Sequence, residues 1–477
     1  MLRFVLARSA LPPLCAAFLA GCSERASAPV LEKSIPLEVG LDVVFVVDNS
    51  GSMQAEQQHL AASFPEFIDA LQRIRGELPD LHLGVLSSNA GAAGQSGAPG
   101  CPSQGDDGNL LTGPPAGTCA AQFGLQGSFI SDVAQPDGSR LANYAPGQLA
   151  PLFTCMASLG TTGCGFEMHL ESMYRALQPG KNAGFYRDEA YLAVIFLADE
   201  DDCSTEVGAL FGDPQADLTS PLGPRTSFRC HEFGVICDHD PDPRAFGPRT
   251  GCRPRTQSAY LYEIERYVEF LQGLKDDPGR VVVAGIIGDF DAATGELTVG
   301  PDPNNGALPA VEKSCHTGDP GDPEDGATPA VRLQAFLRAF PGRNTFTSIC
   351  DEDLRDGMLQ IAELLGTAIG TPCIDAPLAD REPDVAGIQP ECSVFDAVRA
   401  GSSATRHAIP SCSQPVQAGA ACDPGSAGTP CWCIHPNAVQ CPPDADNPQS
   451  HAIEVNRGGV TPAPGTVLEV RCAIATP

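Results

Sequence analysis

Basic residues are scarce in this chain of 477 residues, which has 29 Lys and Arg against 59 Asp and Glu and a formal net charge of −30. Nucleic-acid binding requires a positively charged surface, because contacts to phosphates supply much of the affinity. The charge balance therefore excludes a nucleic-acid-binding protein. Tryptophan occurs once, but the hydrophobic share of 42% is enough for a folded core, which excludes a largely disordered chain.

Motifs of common enzyme classes are also missing. The chain has no Gly-x-Ser-x-Gly turn, no phosphate loop that ends in Gly-Lys-Ser/Thr and no His-Glu-x-x-His pattern. Each of these motifs places a nucleophile, a phosphate cradle or a catalytic metal. We therefore expect a binding protein and no enzyme.

The N-terminus begins Met-Leu-Arg and continues with an apolar stretch that ends in small residues. This order is typical of a secretory signal peptide. Its end, Leu19-Ala20-Gly21-Cys22, resembles the bacterial lipobox, which implies a signal peptide over 1–21, a lipid-modified Cys22 and a tether over 22–38. By the same resemblance, Ser23 in place of aspartate implies an outer-membrane or surface lipoprotein of the bacterial cell envelope. An ordinary signal peptide with a chance cysteine is the alternative, and we expect no membrane-spanning segment elsewhere.

The twenty cysteines favour an oxidising compartment. Besides Cys15 and Cys22, ten of them lie within 101–350 and eight within 373–472. Even numbers predict two separately cross-linked units, whose pairing the spacing does not reveal. Two groups of residues have the composition of zinc sites: Cys230, His231, Cys237 and His239, and Cys431, Cys433 and His435. In an oxidising compartment, we favour disulfides and solvated histidines for both groups.

Apolar runs alternate with helical patterns between residues 39 and 370. Uninterrupted apolar runs are typical of strands buried on both faces, which occur in parallel sheets covered by helices. The pattern predicts an α/β domain with a doubly wound, Rossmann-like, mostly parallel sheet. The predicted strands cover 41–48, 81–86, 191–198, 280–287 and 345–349, and the predicted helices cover 53–74, 165–177, 258–274, 330–340 and 354–369.

Three long segments rich in Gly, Pro, Ala or Asp interrupt this pattern, at 89–125, 203–256 and 289–328. Structureless segments of this length argue against a compact domain unless cross-links hold them, which the cysteines can provide. From residue 371 the sequence becomes dense in Pro, Gly and Cys, so we expect a small, β-rich, disulfide-linked domain over 371–477.

Oxygen-bearing side chains follow the first predicted strand, in the order Asp48-Asn49-Ser50-Gly51-Ser52. In open α/β sheets, ligands bind outside the carboxyl ends of the strands. A carboxylate and two hydroxyls are hard ligands, which suit Mg²⁺, Mn²⁺ or Ca²⁺. The next helix directs its N-terminus to the same place and favours an anion there. We therefore expect a divalent cation together with a carboxylate from a partner.

An apolar strand followed by Asp-x-Ser-x-Ser resembles the von Willebrand factor A (VWA) domain, over about residues 39–370. The resemblance implies a metal-ion-dependent adhesion site in which Ser50 and Ser52 bind the ion directly and Asp48 acts through water. It also implies that a protein partner supplies an Asp or Glu carboxylate to the open position. The function implied is adhesion or assembly at the cell surface.

Two further metal ligands are implied by the same resemblance, a threonine on a second loop and an aspartate after a later strand. Asp199 directly follows the apolar run 191–198, as the family pattern requires. Thr162, in Gly160-Thr161-Thr162-Gly163, matches the threonine less closely, because Cys164 at the start of the next helix has no counterpart in the family. Glu167 is a spare candidate ligand.

Two other functions stay open from the sequence. One is a metal-free structural scaffold of the envelope, and the other is a metal-assisted hydrolase, which lacks an evident general base. Further acidic groups do not have the order of an EF-hand loop, so we predict solvated loops for them: Asp238, Asp240 and Asp242; Asp289 and Asp291; and Asp319, Asp322 and Asp325.

Overall fold

The structure is a computed structural model of the chain. It describes residues 29–475, except for 37–39, 76–77, 93–94, 96–100, 102–104, 115, 136–138, 206–207, 241, 319–324, 371, 375, 383, 386–387, 401–402, 413–421, 423–427, 438–440, 442–450, 461 and 463–465. The predicted signal peptide over 1–21 and the predicted lipid site at Cys22 lie outside the described residues. So do Asp319 and Asp322.

The described residues form eighteen strands and eight α-helices. The strands are β1 Val30–Pro36, β2 Gly40–Val47, β3 Asp80–Ser87, β4 Ile130–Ala134, β5 Arg140–Ala142, β6 Tyr191–Ala198, β7 Val235–Ile236, β8 Gly247–Arg249, β9 Arg253–Pro254, β10 Val281–Ile287, β11 Leu297–Pro301, β12 Pro309–Val311, β13 Asn344–Ser348, β14 Cys392–Ala400, β15 Ser403–Ile409, β16 Cys431–Pro436, β17 His451–Asn456 and β18 Thr466–Ala473. The helices are α1 Gln54–Arg75, α2 Thr118–Phe123, α3 Leu149–Ala157, α4 His169–Ala176, α5 Phe228–Gly234, α6 Ile264–Gly273, α7 Val331–Arg338 and α8 Arg355–Ile369.

A seven-stranded mixed sheet forms the centre of the α/β unit, in the order β13-β10-β6-β2-β3-β4-β5. The five strands from β13 to β3 run parallel, and they are the five strands that the apolar runs predict. The last two strands continue the sheet antiparallel. Strands β4 and β5 escaped prediction because they are short and only partly buried, so they lack an apolar run.

Helices cover both faces of this sheet. Side chains of β2 point alternately to the two sides: Phe45 lies in one apolar cluster with α1, α3 and α8, while Val44 lies in the other with α4, α6 and α7. On the first side, Phe45 packs against Phe64, Phe67 and Phe153. Burial on both faces explains why β2 is apolar without alternation.

The parallel strands end at one edge of the sheet, and their last residues are joined there by backbone hydrogen bonds. The N–H of Asp48 donates to the carbonyl of Leu197 at 2.9 Å, and the N–H of Ser88 donates to the carbonyl of Val47 at 3.2 Å. The loops that follow β2, β3 and β6 are therefore held side by side.

Two of the predicted insertions pair with each other. Strand β8, in the insertion 203–256, pairs with β11 of the insertion 289–328, and β11 also pairs with β12. Cross-links tie these segments down, as their length requires. The bridges are Cys203–Cys230, Cys237–Cys252 and Cys315–Cys350.

Every cysteine from Cys101 to Cys472 is in a disulfide, and no bridge joins the two predicted groups. The remaining bridges of the first group are Cys101–Cys164 and Cys119–Cys155. The second group forms Cys373–Cys441, Cys392–Cys472, Cys412–Cys431 and Cys422–Cys433. Two separately cross-linked units are confirmed, and the cysteines of both zinc-like groups are consumed in bridges.

The C-terminal region is rich in strands, with a four-stranded antiparallel sheet in the order β1-β18-β14-β15. The prediction of a tether is wrong for residues 30–36, because these residues are strand β1 at the edge of this sheet. Ile35 of β1 is 4% exposed and packs with Leu468 and Val470. The sequence around β1 gives no local sign of a partner that lies more than 400 residues further along the chain.

In the part of the chain that the structure describes, no helix combines the length and the apolar character that crossing a membrane requires.

Strand β1 provides a test of this arrangement. We expect Ile35→Ala to lower the free energy of unfolding of the C-terminal unit by about 2–5 kcal/mol, because it removes a buried aliphatic side chain. The measurement is hydrogen exchange of the β18 amides. Val30→Ala in the same strand is the matched control, since Val30 is 54% exposed. If both substitutions had equally small effects, residues 30–36 would be a tether and not a strand of this sheet.

Candidate metal centre

The loop after β2 holds the Asp48 carboxylate inside the protein. Asp48 is fully buried, and its Oδ1 accepts hydrogen bonds from the Ser50 N–H at 2.8 Å and from the Ser88 hydroxyl at 3.2 Å. The Ser50 bond folds the loop back on the aspartate, which is the local reason for Asp at this position. One oxygen of Asp48 is thus fixed by the loops after β2 and β3.

The other oxygen of Asp48 is bound by His169, which the sequence did not predict. The Nε2–H of His169 donates to Asp48 Oδ2 at 3.1 Å, and neither side chain is exposed. Burial by itself lowers the pKa of His169, but the hydrogen bond to Asp48 and the charge of Asp48 outweigh it, so the pKa is raised. His169 therefore neutralises Asp48 in the interior.

The two serine hydroxyls lie together at the mouth of the loop. Ser50 Oγ and Ser52 Oγ are 3.4 Å apart, and Ser52 lines a cavity of about 220 Å³. Gln57, in the second turn of α1, donates to the carbonyl oxygens of Asp48 at 2.8 Å and Gly160 at 3.0 Å, and it accepts from the Gly160 N–H at 3.0 Å. Gln57 thus joins the Asp48 loop to the loop that carries Thr162.

Asp199 follows β6 and is 1% exposed. Neither of its carboxylate oxygens accepts a hydrogen bond of ordinary geometry from the described residues, although the Ser52 hydroxyl lies close enough to lower its pKa. The nearest cation is Lys313, whose Nζ is 4.0 Å from Asp199 Oδ2. Burial, followed by the charge of Asp48, raises the pKa of Asp199 to about 8. A buried carboxyl with so little hydrogen bonding is costly, so it points to a missing ligand.

Glu167, the spare candidate, lines the cavity with Ser52. It is 1% exposed, and burial followed by the charges of Glu200 and Asp48 holds its pKa well above the ordinary value. Helix α4 begins at His169, later than predicted, because residues before it bind neighbouring loops. The carbonyl of Glu167 accepts from the Cys203 N–H at 2.7 Å.

Thr162 is exposed and is not among the residues that line the cavity. Its loop is held from both ends: Cys164 is bridged to Cys101, and the Gly163 N–H donates to the Asn49 carbonyl at 2.7 Å. A Cβ at position 163 would lie 2.1 Å from Asn49 Oδ1, so only glycine fits so close to the Asp48 loop. The loop thus reaches the site, but it is Glu167 that faces the cavity.

The cavity is closed by the two insertions. Helix α5 lines the cavity with Phe228 and His231, and the β11–β12 hairpin lines it with Asp302 and Val311. Its floor is acidic, with Glu167, Glu200 and Asp202. The insertions therefore restrict access to the carboxylates to a space the size of a few side chains or waters.

The remaining acidic and cysteine-containing groups have other partners. Asp238 and Asp240 form ion pairs with Arg253 at 2.8 Å and Arg249 at 3.0 Å, which explains their loops without calcium. Among the described residues, Cys422, Cys433 and Glu454 place ligand atoms within 4.8 Å of one another, but the two cysteines are bonded to each other. No thiolate remains there for a metal.

Comparisons with known proteins returned solved structures only. No protein-family model matches the chain, and no curated protein matches it. A von Willebrand factor type A structure from Catenulispora acidiphila aligns at 11% identity and a TM-score of 0.29, over 94% of this chain and 62% of that one. The pilus adhesin from Streptococcus pneumoniae aligns at 10% identity and a TM-score of 0.27, over 93% of this chain and 58% of that one.

The first of these structures belongs to the family that the Asp-x-Ser-x-Ser motif resembles. This chain spans less than two thirds of the length of either structure. The mixed α/β architecture rests on its own strand order and helix packing.

The orphaned Asp199 carboxyl makes stability depend on pH in the presence of EDTA. Because the folded pKa is raised to about 8 from 3.8, the folded protein keeps a proton that the unfolded chain releases. We expect the free energy of unfolding to fall as the pH rises from about 4 to about 8. Asp199→Asn removes this ionisation, so its pH slope should be shallower and its stability at pH 8 higher than wild type. Lower stability at pH 8 in this variant would contradict the assignment.

Substitutions distinguish Glu167 from Thr162 as the candidate metal ligand on the second loop. We expect Glu167→Gln to weaken Mn²⁺ binding at least about tenfold, because a charged oxygen ligand is lost, and Thr162→Val to leave it unchanged. Isothermal titration with Mn²⁺ measures both. The reverse order of effects would return the ligand role to Thr162.

Proposed function

We propose that residues 39–370 form a doubly wound, VWA-like domain that binds a divalent cation and, through it, an acidic group of a protein partner. Asp48, Ser50, Ser52 and Asp199 hold the ion, and Glu167 takes the place that the resemblance gives to Thr162. The protein acts by adhesion or surface assembly and carries out no catalysis.

The observation that carries this proposal is the Asp199 carboxylate, with two buried oxygens that lack hydrogen bonds. It lies beyond the carboxyl ends of the parallel strands, where α/β sheets bind ligands. The Ser52 hydroxyl and the Glu167 carboxyl open into the same cavity next to it. A cation bound there would compensate the two Asp199 oxygens.

The donor set fits a hard cation. It consists of carboxylate and hydroxyl oxygens, which Mg²⁺, Mn²⁺ and Ca²⁺ prefer over nitrogen or sulfur ligands. His169 is fully buried and faces Asp48, so it orients that carboxylate instead of binding metal. Bound there, the ion would act as a Lewis acid that attracts an anionic group.

The preference for an acidic partner follows from the charges at the site. The cavity is lined by the acidic side chains of Glu167, Glu200 and Asp202, so without a cation it offers little attraction to another acidic side chain. The cation reverses the sign locally and offers an open coordination position. Binding of an Asp or Glu side chain would then depend on the metal, which is the behaviour that the VWA resemblance implies.

We place the protein in the bacterial cell envelope, with Cys22 as the lipid anchor at the outer membrane or surface. The nine disulfides support an oxidising compartment. Because β1 begins at Val30, the connection 22–29 can span at most about 28 Å. The C-terminal sheet would therefore lie close to the membrane.

A metal-free scaffold is the alternative. It is favoured by the cations that the chain itself brings to the carboxylates, His169 at Asp48 and Lys313 near Asp199. The scaffold requires that the cavity stay without a metal under all conditions, so a titration with metal separates the two functions.

Two hydroxyls of the cavity provide the test. We expect Mn²⁺ to raise the melting temperature of the wild-type protein, because a ligand that binds only the folded state stabilises it. Ser52→Ala should reduce this shift by more than half, since a direct ligand is lost. Thr226→Ala is the matched control, because Thr226 is a hydroxyl residue that lines the same cavity but is not in the proposed ligand set. A melting temperature that does not respond to Mn²⁺ in the wild type would favour the scaffold.

A partner is then sought in an envelope extract, with immobilised wild type and Ser52→Ala in Mn²⁺ and in EDTA. The proposal expects a bound protein that is lost in EDTA and in the variant, and whose binding an excess of free glutamate-containing peptide reduces. Identical partners in Mn²⁺ and EDTA would contradict metal-dependent adhesion.

A further inference from the structure

Lys313 is the cation that reaches the candidate metal centre from outside the expected ligand set. Its ammonium is 4.0 Å from Asp199 Oδ2, and its side chain lines the cavity together with Ser52, Glu167 and Glu200. The side chain is 20% exposed, while Asp199 is almost fully enclosed. Lysine is rare in this chain, where the others are Lys33, Lys181 and Lys275.

The backbone around Lys313 is fixed on both sides. The N–H of Glu312 donates to the Thr298 carbonyl at 2.9 Å, and the N–H of Ser314 donates to the Ala327 carbonyl at 2.7 Å. Cys315, two residues further on, is bridged to Cys350 beyond β13. The insertion therefore delivers the side chain to the carboxylates, and only its flexible four-carbon stem is free to move.

The same segment is tied to Asp199 through the main chain. The N–H of Thr328, next to Ala327, donates to the Asp199 carbonyl at 2.8 Å. The position of the ammonium relative to Asp199 is thus set by a short chain of backbone contacts. A surface lysine without a role would not require this support.

An ammonium and a divalent cation compete for the same oxygens. Two positive centres within a few ångströms repel each other strongly where water is largely excluded. At the same time, the ammonium is the nearest compensation for the carboxylates, and its charge lowers the pKa values of Asp199 and Glu200, which burial raises. Each of the two cations therefore weakens the binding of the other at Asp199.

We propose that Lys313 is an internal counter-ion of the metal centre, which occupies the Asp199 carboxylate in the metal-free protein and is displaced when a divalent cation binds. The inference rests on the proposed function. It adds that metal binding is an exchange of one cation for another, so the metal-free state is stable and the affinity for metal is lowered. When a cation displaces it from Asp199, the ammonium can move into the partly open cavity.

A second carboxylate lies within electrostatic range of the same ammonium. Glu56, in the first turn of α1, is 7% exposed, and one of its oxygens has no hydrogen bond from the described residues. Burial raises its pKa, and the charge of Lys313 acts against this rise. Glu56 is therefore a second acidic group whose pKa responds to the charge of Lys313.

The test compares Lys313→Met, which keeps the length of the stem and removes the charge, with Lys313→Arg, which keeps the charge. Lys181→Met is the matched control, because it causes the same change in net charge at the Lys181–Asp107 ion pair, among groups that do not line the cavity. Each variant is measured in EDTA by thermal unfolding and then titrated with Mn²⁺ by calorimetry.

We expect opposite effects of Lys313→Met in the two measurements. The melting temperature in EDTA should fall, since a carboxylate loses its counter-ion, while the affinity for Mn²⁺ should rise at least about tenfold, since the competing charge is gone. Lys313→Arg should resemble the wild type in both, and Lys181→Met should leave the Mn²⁺ affinity unchanged. A merely structural lysine would lower stability and leave or weaken the affinity.

The two proposals fail in different ways. Mn²⁺ binding in the wild type with the same affinity in Lys313→Met would overturn the counter-ion and leave the metal centre in place. A lack of Mn²⁺ binding in the wild type and in Lys313→Met alike would overturn the metal centre, and the counter-ion with it.

Discussion

The exclusion of water from several carboxyl groups at one edge of the sheet is the constraint on which the rest of the structure depends. Asp48, Asp199 and Glu167 are each nearly inaccessible, and Glu200 lies beside them. An isolated charge in such a place is very unfavourable, so each group needs a proton, a cation or a set of hydrogen bonds. His169 donates a hydrogen bond to Asp48, burial raises the pKa values of Glu167 and Asp199, and the Lys313 ammonium lies 4.0 Å from Asp199 Oδ2.

The long insertions help to exclude water from these carboxyl groups. Without them, the carboxyl ends of the parallel strands would face water, as in an ordinary open sheet. Helix α5 and the β11–β12 hairpin instead enclose the site in a small cavity, and disulfides hold these poorly structured segments in position. A low effective dielectric makes each charge interaction stronger there than at the surface.

Local sequence patterns predict the central parallel strands and some residues of the candidate site. The strands β2 and β6 are predictable because burial on both faces demands apolar runs. Asp48, Ser50 and Ser52 are predicted from the end of the first strand, and Asp199 from the resemblance to the VWA domain. His169 and Lys313 were not predictable, since they reach the carboxylates through contacts over more than a hundred residues. Thr162 failed to enter the cavity because a disulfide and a close glycine contact set the path of its loop. Strand β1 was missed because its partner, β18, lies at the other end of the chain.

The central claim is that the Asp199 carboxylate binds a divalent cation beside the serine hydroxyls. It is tested most directly by crystals grown in EDTA and then soaked in Mn²⁺, with anomalous diffraction recorded at the manganese edge. The account predicts a peak within about 2.3 Å of an Asp199 carboxylate oxygen and next to Ser52, with the Lys313 ammonium moved away. A map without a peak at Asp199, with Lys313 still beside the carboxylate, would contradict it.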